Sequence, residues 1–294
     1  MTILNFGSIN IDHVYSIDHF VRPGETLGSS RYRQFAGGKG FNQSVALAYA
    51  GAKVYHAGKV GKDGLWLVDH LRQCSVDVSF IKVVDSPTGH AIIQVNPQGE
   101  NSIILYGGAN QLVTEADAEN VLYNFSRGDH LLLQNEISTI PEIMKLAARR
   151  GLSIVFNPAP MNSEVLSFPL DLVDIFILNE IEGRELTGES ELDEICASMR
   201  EKYSSAVTVL TAGDKGVLYA DSERTLRVAA ENVKPVDTTA AGDTFIGYLL
   251  SGIVKRRDVE EALRFACKAA ALCVTRPGAA DSIPKREELE VFTQ

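Results

Sequence analysis

Residues 175–211, IFILNEIEGRELTGESELDEICASMREKYSSAVTVLT, decide the fold class. The apolar run Ile175-Phe176-Ile177-Leu178 has strand length. The polar step Asn179-Glu180-Ile181-Glu182 follows it. Helical periodicity then covers 190–202, and the β-branched run 207–211 closes the unit. Apolar strands separated by a helix form a β-α-β unit on a parallel sheet. The same rhythm extends outward, with strand runs at 3–6, 54–57, 130–134 and 153–157 and helical patterns at 41–50, 65–73 and 140–149. The sequence therefore predicts an α/β protein: a mainly parallel central sheet flanked by helices on both faces. With no internal repeat and no long linker, it reads as one domain over 1–294.

Two stretches break the rhythm. Residues 12–35 and 90–106 lack helical spacing and are rich in strand and turn signals. The second contains Ala91-Ile92-Ile93-Gln94-Val95, the turn Asn96-Pro97-Gln98-Gly99 and Ser102-Ile103-Ile104-Leu105-Tyr106, a hairpin pattern. Strands inserted outside a parallel sheet can pair with each other as a small β lid over its carboxyl edge, or extend the main sheet. A lid that excludes water suits group transfer from a hydrolysable donor.

Composition narrows the function. The chain has 294 residues, 45% hydrophobic and 22% charged, with 28 basic against 38 acidic residues and a net charge of −10. That balance argues against bulk binding of nucleic acid or anionic membrane, while leaving room for a small anionic ligand. No apolar stretch reaches membrane-spanning length, and the first residues carry neither a basic segment nor a long apolar one. A cytoplasmic protein is expected. Cys74, Cys196, Cys267 and Cys273 form no C-x-x-C pair, so reduced thiols are expected rather than zinc. Cys267 and Cys273 read as small core residues on a helix. The six histidines match no metal-site spacing and read as structural or surface residues.

The chemistry concentrates in a few segments. Asp237-Thr238-Thr239-Ala240-Ala241-Gly242-Asp243 places a carboxylate after an extended run, then small residues, then a second carboxylate inside a new helix marked by Phe245, Ile246, Leu249, Leu250 and Ile253. Unpaired N–H groups at a helix start attract anionic oxygens, whereas Asp243 would repel a phosphate. Asp243 therefore reads either as a base for a hydroxyl beside the phosphate or as a plain complement to the helix dipole. Ala36-Gly37-Gly38-Lys39-Gly40-Phe41-Asn42 has three glycines that let backbone approach a bound molecule. Its spacing fits neither a Walker A loop nor a dinucleotide fingerprint, and a tight turn with a solvated lysine is the alternative. Asn10 and Asp12, two apart in extended chain, point the same way and suit vicinal hydroxyls, with a solvated turn as the alternative. Glu182 falls at a helix start, where it either caps or holds a water on magnesium. The glycines of Thr211-Ala212-Gly213-Asp214-Lys215-Gly216 suit a turn under a flat nucleotide. Both of these last segments follow strands at the edge where open α/β sheets bind ligands.

Taken together these segments resemble the ribokinase-like PfkB family of carbohydrate kinases. The resemblance runs in order from Ile3 to Phe292. It comprises G-S-I-N-I-D from Gly7, G-G-K-G-x-N-Q from Gly37, L-Q-N-E from Leu133, N-P-A-P from Asn157, N-E-x-E from Asn179, T-A-G-x-x-G from Thr211, D-T-x-A-A-G-D from Asp237 and V-T-R-x-G-A from Val274. It implies a three-layer α/β sandwich with a β lid made by the two anomalous stretches. It also implies magnesium-dependent transfer of the γ-phosphoryl group of ATP to the terminal hydroxyl of a pentose, with D-ribose yielding D-ribose 5-phosphate. By position, it makes Asp243 the base and the N–H groups of Ala240, Ala241 and Gly242 the anion hole. Asn10, Asp12, Gly38, Lys39, Asn42 and Glu136 would hold the sugar. Asn179, Thr211, Gly213, Gly216 and Gly242 would line the ATP site, with Glu182 acting on magnesium through water. Asp237, Thr239, Cys273, Arg276, Gly278 and Ser282 would surround a monovalent cation, usually potassium, mostly through backbone carbonyls. A homodimer paired through the lids is the implied assembly.

Phe41 and Ser44 depart from the family's usual alanines, and Cys267 stands where a histidine often flanks the adenine. These put the sugar in more doubt than the reaction. Deoxyribose, a hexose or a nucleoside are the alternative acceptors, with Tyr15, Phe20, Tyr32 and Phe35 available as a platform for a base. A non-catalytic sugar or nucleotide sensor is the alternative from another class, and the intact Asp243 argues against it.

Overall fold

The computed structural model describes residues 1–292. Thirteen strands and nine α-helices are present among them. The strands are β1 (Ile3–Phe6), β2 (Asn10–Ser16), β3 (Arg31–Gly37), β4 (Val54–Val60), β5 (Asp77–Val83), β6 (Gly89–Val95), β7 (Asn101–Tyr106), β8 (His130–Gln134), β9 (Ser153–Asn157), β10 (Ile175–Asn179), β11 (Val207–Thr211), β12 (Val217–Ala220) and β13 (Thr225–Val228). The helices are α1 (Lys39–Tyr49), α2 (Leu65–Gln73), α3 (Glu115–Leu122), α4 (Ile140–Arg150), α5 (Glu180–Thr187), α6 (Leu192–Lys202), α7 (Ala241–Val254), α8 (Val259–Val274) and α9 (Arg286–Val291).

Nine strands form one sheet in the order β13-β12-β11-β10-β9-β8-β1-β4-β5. From β11 to β5 every neighbour is parallel. Its strands read as unbroken apolar runs because alternate residues enter two different cores. Leu132, Ile175 and Ile177 face α1, α2, α7 and α8, whereas Leu131, Leu133, Phe176 and Leu178 face α3, α4 and α6. The sheet with its two helical layers is the expected sandwich. The antiparallel extension β12–β13 is an addition, short and ending at Val228.

The two anomalous stretches form a separate four-stranded sheet, β3-β2-β6-β7. The expected hairpin is β6–β7, closed by Asn96, whose side chain accepts from the N–H groups of Gln98 and Glu100. Parallel pairing of β2 with β6 joins the stretches, so the lid begins at Asn10 rather than at residue 12. No helix among the described residues is long and apolar enough to cross a membrane.

Candidate active site

The parallel strands share a direction, so their carboxyl ends bring distant residues to one edge. β1 leads to Ser8 and Asn10, β8 to Gln134 and Glu136, β9 to Asn157, β10 to Asn179, and β11 to Thr211. The first turns of α1 and α7 meet these ends.

Asp243 lies in the first turn of α7 and is buried. Asn42 donates to its Oδ2 at 3.0 Å and Gln43 to its Oδ1 at 2.9 Å. Burial raises its proton affinity, while Lys39 and the two amides pull it back. Asn42 Oδ1 is buried without a partner, an acceptor awaiting a hydroxyl. Lys39 faces Asp243, Glu136 and Glu182, and these carboxylates outweigh its burial and hold it charged. Gly242 is open, since a Cβ there would meet nothing within 4 Å.

The expected trio of amides needs one correction. The chain enters α7 through a tight turn in which Ala241 N–H donates to Thr238 O at 3.2 Å. The unpaired set at this helix start is therefore Ala240, Gly242 and Asp243. The glycine-rich segment is corrected as well. Gly40 abuts protein, because a Cβ on it would lie 2.7 Å from Gly7 Cα, and one on Gly37 would strike the Asp12 carboxylate. Gly38, at φ +92°, caps α1 in a conformation that favours glycine.

Asn10 and Asp12 share one face of β2, as their spacing requires. Asp12 is pushed up to about 7, first by burial and then by the charge of Glu136. Glu136 accepts from Lys39 N at 2.8 Å and from the Ser8 hydroxyl. Asn10 Oδ1 accepts from Asn110 at 2.7 Å, which turns its NH₂ group away from that partner.

Two cavities abut at Thr211 and Gly242. The smaller, about 120 Å³, contains Lys39, Asn157, Asn179, Glu182, Thr239 and Asp243. The larger, about 540 Å³, runs past Gly213 and Gly216 between Val233 and the α8 residues Cys267, Ala270 and Ala271. Its size and apolar walls suit a flat ring system. Gly216, at φ +93°, turns directly under Val228–Ala230, where a Cβ would lie 2.7 Å from Ala230 N. Both readings of Glu182 are compatible here. It forms a capping box with Asn179 and still stands in the wall of the smaller cavity.

The expected cation residues also gather. Asp237 accepts from Thr239 N at 3.0 Å and Gly278 N at 2.9 Å, tying together the segments before α7 and after α8. Cys273 Sγ lies 3.1 Å from Ser282 Oγ. The Arg276 side chain donates to Glu288 at 2.7 Å. All four cysteines are free and buried. Ser8, Gln43, Asn110, Gln134 and Asn157 complete the site and carried no role in the sequence reading. Ser8, Gln43, Gln134 and Asn157 stood inside quoted motifs, which was their only signal; Asn110 had none.

The pfkB family carbohydrate kinase model matches residues 2–286. The chain belongs to the pfkB family of carbohydrate kinases. This carbohydrate kinase is 37% identical to the ribokinase of Haemophilus influenzae, over 100% of its own length and 98% of that protein's. It is 31% identical to the deoxyribokinase of Salmonella typhi, over 99% and 98% of the two chains. Among solved structures it is similar to Arabidopsis thaliana ribokinase complexed with ribose and ATP, with a TM-score of 0.87, 31% identity and 99% of each chain covered.

Proposed function

We propose that this carbohydrate kinase transfers the γ-phosphoryl group of ATP to the terminal hydroxyl of D-ribose, giving D-ribose 5-phosphate. The observation that carries the reading is Asp243, a buried carboxylate beside unpaired amides at the seam of two cavities. Full-length similarity to ribokinases, one of them described with ribose and ATP, supports the acceptor and donor.

The sugar lies between Asn10, Asp12, Gly38, Lys39, Asn42 and Glu136, and the adenosine moiety lies in the larger cavity past Thr211, Gly213 and Gly216. An alcohol is too weakly acidic to ionise near neutral pH, so Asp243 takes its proton as the oxygen attacks. Such a base contributes roughly 10²–10⁴-fold. Lys39 and the amides of Ala240 and Gly242 hold the equatorial oxygens of the migrating group. Magnesium neutralises the charge of the β- and γ-phosphates when bound. Glu182, a buried carboxylate held by Asn179 and Asn157, fits its water shell. Asp237, Thr239, Cys273, Arg276, Gly278 and Ser282 fit a potassium ion, mostly through backbone carbonyls, since the carboxylate of Asp237 already braces the segments before α7 and after α8. The chain works as one kinase unit in the cytoplasm, where ATP is held. Exposed Ile103, Ile104 and Leu105 on β7 favour a second copy against the lid.

Steady-state ADP release with ribose, 2-deoxyribose, hexoses and nucleosides tests the acceptor. Ribose gives the highest kcat/KM. A higher value for deoxyribose, the substrate in the Salmonella relative's name, would overturn the choice of sugar. Asp243→Asn keeps sugar and ATP binding and loses most of kcat. Near-normal turnover would remove Asp243 as the base.

A further inference from the structure

A chain of buried side-chain amides leads away from Asp243 into the interior. Gln43 Nε2 donates to Asp243 Oδ1 at 2.9 Å and reaches Asn157 Oδ1 at 3.3 Å. Gln43 Oε1 accepts from Gln134 Nε2 at 2.7 Å. That same Gln134 nitrogen donates to Asn5 Oδ1 at 3.0 Å. Asn5 Nδ2 donates to Ser44 Oγ at 2.8 Å, and Ser44 lies 2.8 Å from His56 Nδ1. His56 Nε2 ends the chain 3.2 Å from Gly7 O. Asn5, Gln43, Ser44, His56 and Gln134 each have 0% exposure, so none of these groups can turn to water instead.

The direction of donation is fixed at both ends. Gly7 O can only accept, so His56 carries its proton on Nε2 and accepts at Nδ1 from Ser44. Burial lowers the proton affinity of His56 to a pKa of about 4, so the ring is neutral in the working range. Asn5 must then donate to Ser44, and its oxygen must accept from Gln134. At the other end an ionised Asp243 only accepts, so Gln43 points its NH₂ there and its oxygen at Gln134. Gln134 uses its two N–H bonds in opposite directions and is the source of the whole pattern. A reversed Gln43 would set its oxygen against a carboxylate and its NH₂ against another NH₂.

We infer that Gln43 is a positioning residue for the Asp243 carboxylate, with Gln134 fixing the sense in which the Gln43 amide points. The inference deepens the reading of Asp243 as base and rests on it. Gln43 holds the base in one rotamer and favours its ionised form, and Gln134 does so at one remove, touching neither cavity. The other groups whose charge acts on Asp243 are Lys39 from α1, Glu136 beyond β8 and Glu182 from α5, with the Cys273 thiol nearby on α8. None lies in the amide chain itself; Glu182 meets it only through Asn157, whose Nδ2 is 3.4 Å from Glu182 and whose Oδ1 makes the longer of the two Gln43 Nε2 contacts, at 3.3 Å.

The test compares Gln43→Met and Gln134→Met with wild type and Asp243→Asn, using ribose and ATP. Both methionine variants are expected to lower kcat about tenfold or more, with both KM values within about threefold. A hydrogen bond to the charged form depresses a carboxyl pKa, so losing it moves the acid limb of the kcat–pH profile upward by roughly one unit. A merely structural role would lower the melting temperature and leave that limb in place. If Asp243→Asn is inactive while both methionine variants keep the wild-type limb, the inference fails and the base stands. If Asp243→Asn is active, the base itself fails. Should the variants not fold, the side-chain NH₂ resonances of Gln43 in the ¹⁵N-labelled wild-type protein decide. Exchange-protected signals that titrate with the acid limb support the inference, and signals that exchange rapidly or ignore pH overturn it.

Discussion

Gly247→Ala puts the spatial basis of the site to a quantitative test. Gly247 lies one turn after Asp243 on α7, and Ala46 and Leu47 lie one turn after Asn42 and Gln43 on α1. The two helices touch there with only the Ala46 methyl at the contact. A Cβ at Gly247 would strike Ala46 Cβ and stand 2.7 Å from Leu47 N and 2.8 Å from Ala46 C. Comfortable contacts between heavy atoms are about 3.5–4.0 Å, so the helices must part by roughly 1 Å. The bonds at 2.9 and 3.0 Å that hold Asp243 would then stretch to about 4 Å, beyond hydrogen-bond range. Overpacking costs about 1–3 kcal/mol, partly offset by the ~1 kcal/mol that alanine gains over glycine within a helix. The expected melting temperature falls by a few degrees at most. Misplacing a reacting group by about 1 Å costs on the order of 10²-fold in rate. Calorimetry together with steady-state ADP release reads both effects. Gly252→Ala is the control, since it crowds Ala262 Cβ at 2.7 Å on the α8 side and should destabilise without a comparable loss of kcat. A Gly247→Ala enzyme with wild-type kcat would refute the claim that this helix contact sets the geometry of the base.

Asp12→Asn should raise the KM for sugar, because a hydroxyl loses an anionic acceptor. Asp12 binds its proton more tightly folded (about 7) than unfolded (3.8), so wild-type stability falls as pH rises between those values, and the variant's advantage in melting temperature should grow from pH 5 to pH 8; a constant difference would contradict the assignment. Cys267→Phe, which fills the larger cavity, should raise the KM for ATP at least tenfold and leave the KM for sugar within about twofold, and the reverse pattern would misplace the nucleotide. Glu182→Gln should require more magnesium for half-maximal rate, and an unchanged magnesium titration with lowered stability would reduce Glu182 to a helix cap.

The parallel core was legible because its strands are buried on both faces. A run such as Ile175-Phe176-Ile177-Leu178 needs no partner sequence to announce itself, and the observed β10 adds only Asn179. The lid was legible as two segments that broke the rhythm, but their mutual pairing was not. The parallel β2–β6 register depends on contacts about 80 residues apart in sequence. β12 and β13 escaped for a different reason: four residues each give too little pattern to separate a strand from a loop. Within the site, residues next to glycines or at helix starts stood out. Asn5, Gln134 and Asn110 did not, since a polar residue in isolation reads as solvated and only the tertiary fold shows it sealed among partners.

The glycine-rich segment shows why local sequence misassigned a cause while finding the right place. A glycine signals only that something comes close, and a ligand and a neighbouring backbone leave the same mark. At Gly40 the approaching group is Gly7, and at Gly37 it is Asp12. These contacts let α1 start against the β1–β2 turn, and that start sets Lys39, Asn42 and Gln43 in reach of Asp243. Gly37 and Gly40 thus act through the placement of their neighbours rather than by meeting a ligand themselves. The same logic applies to Gly247, where the close approach of α7 to α1 brings the Asn42 and Gln43 amides to Asp243. Two helix starts, each brought in by small residues, thus build a site whose groups come from segments some two hundred residues apart in the chain.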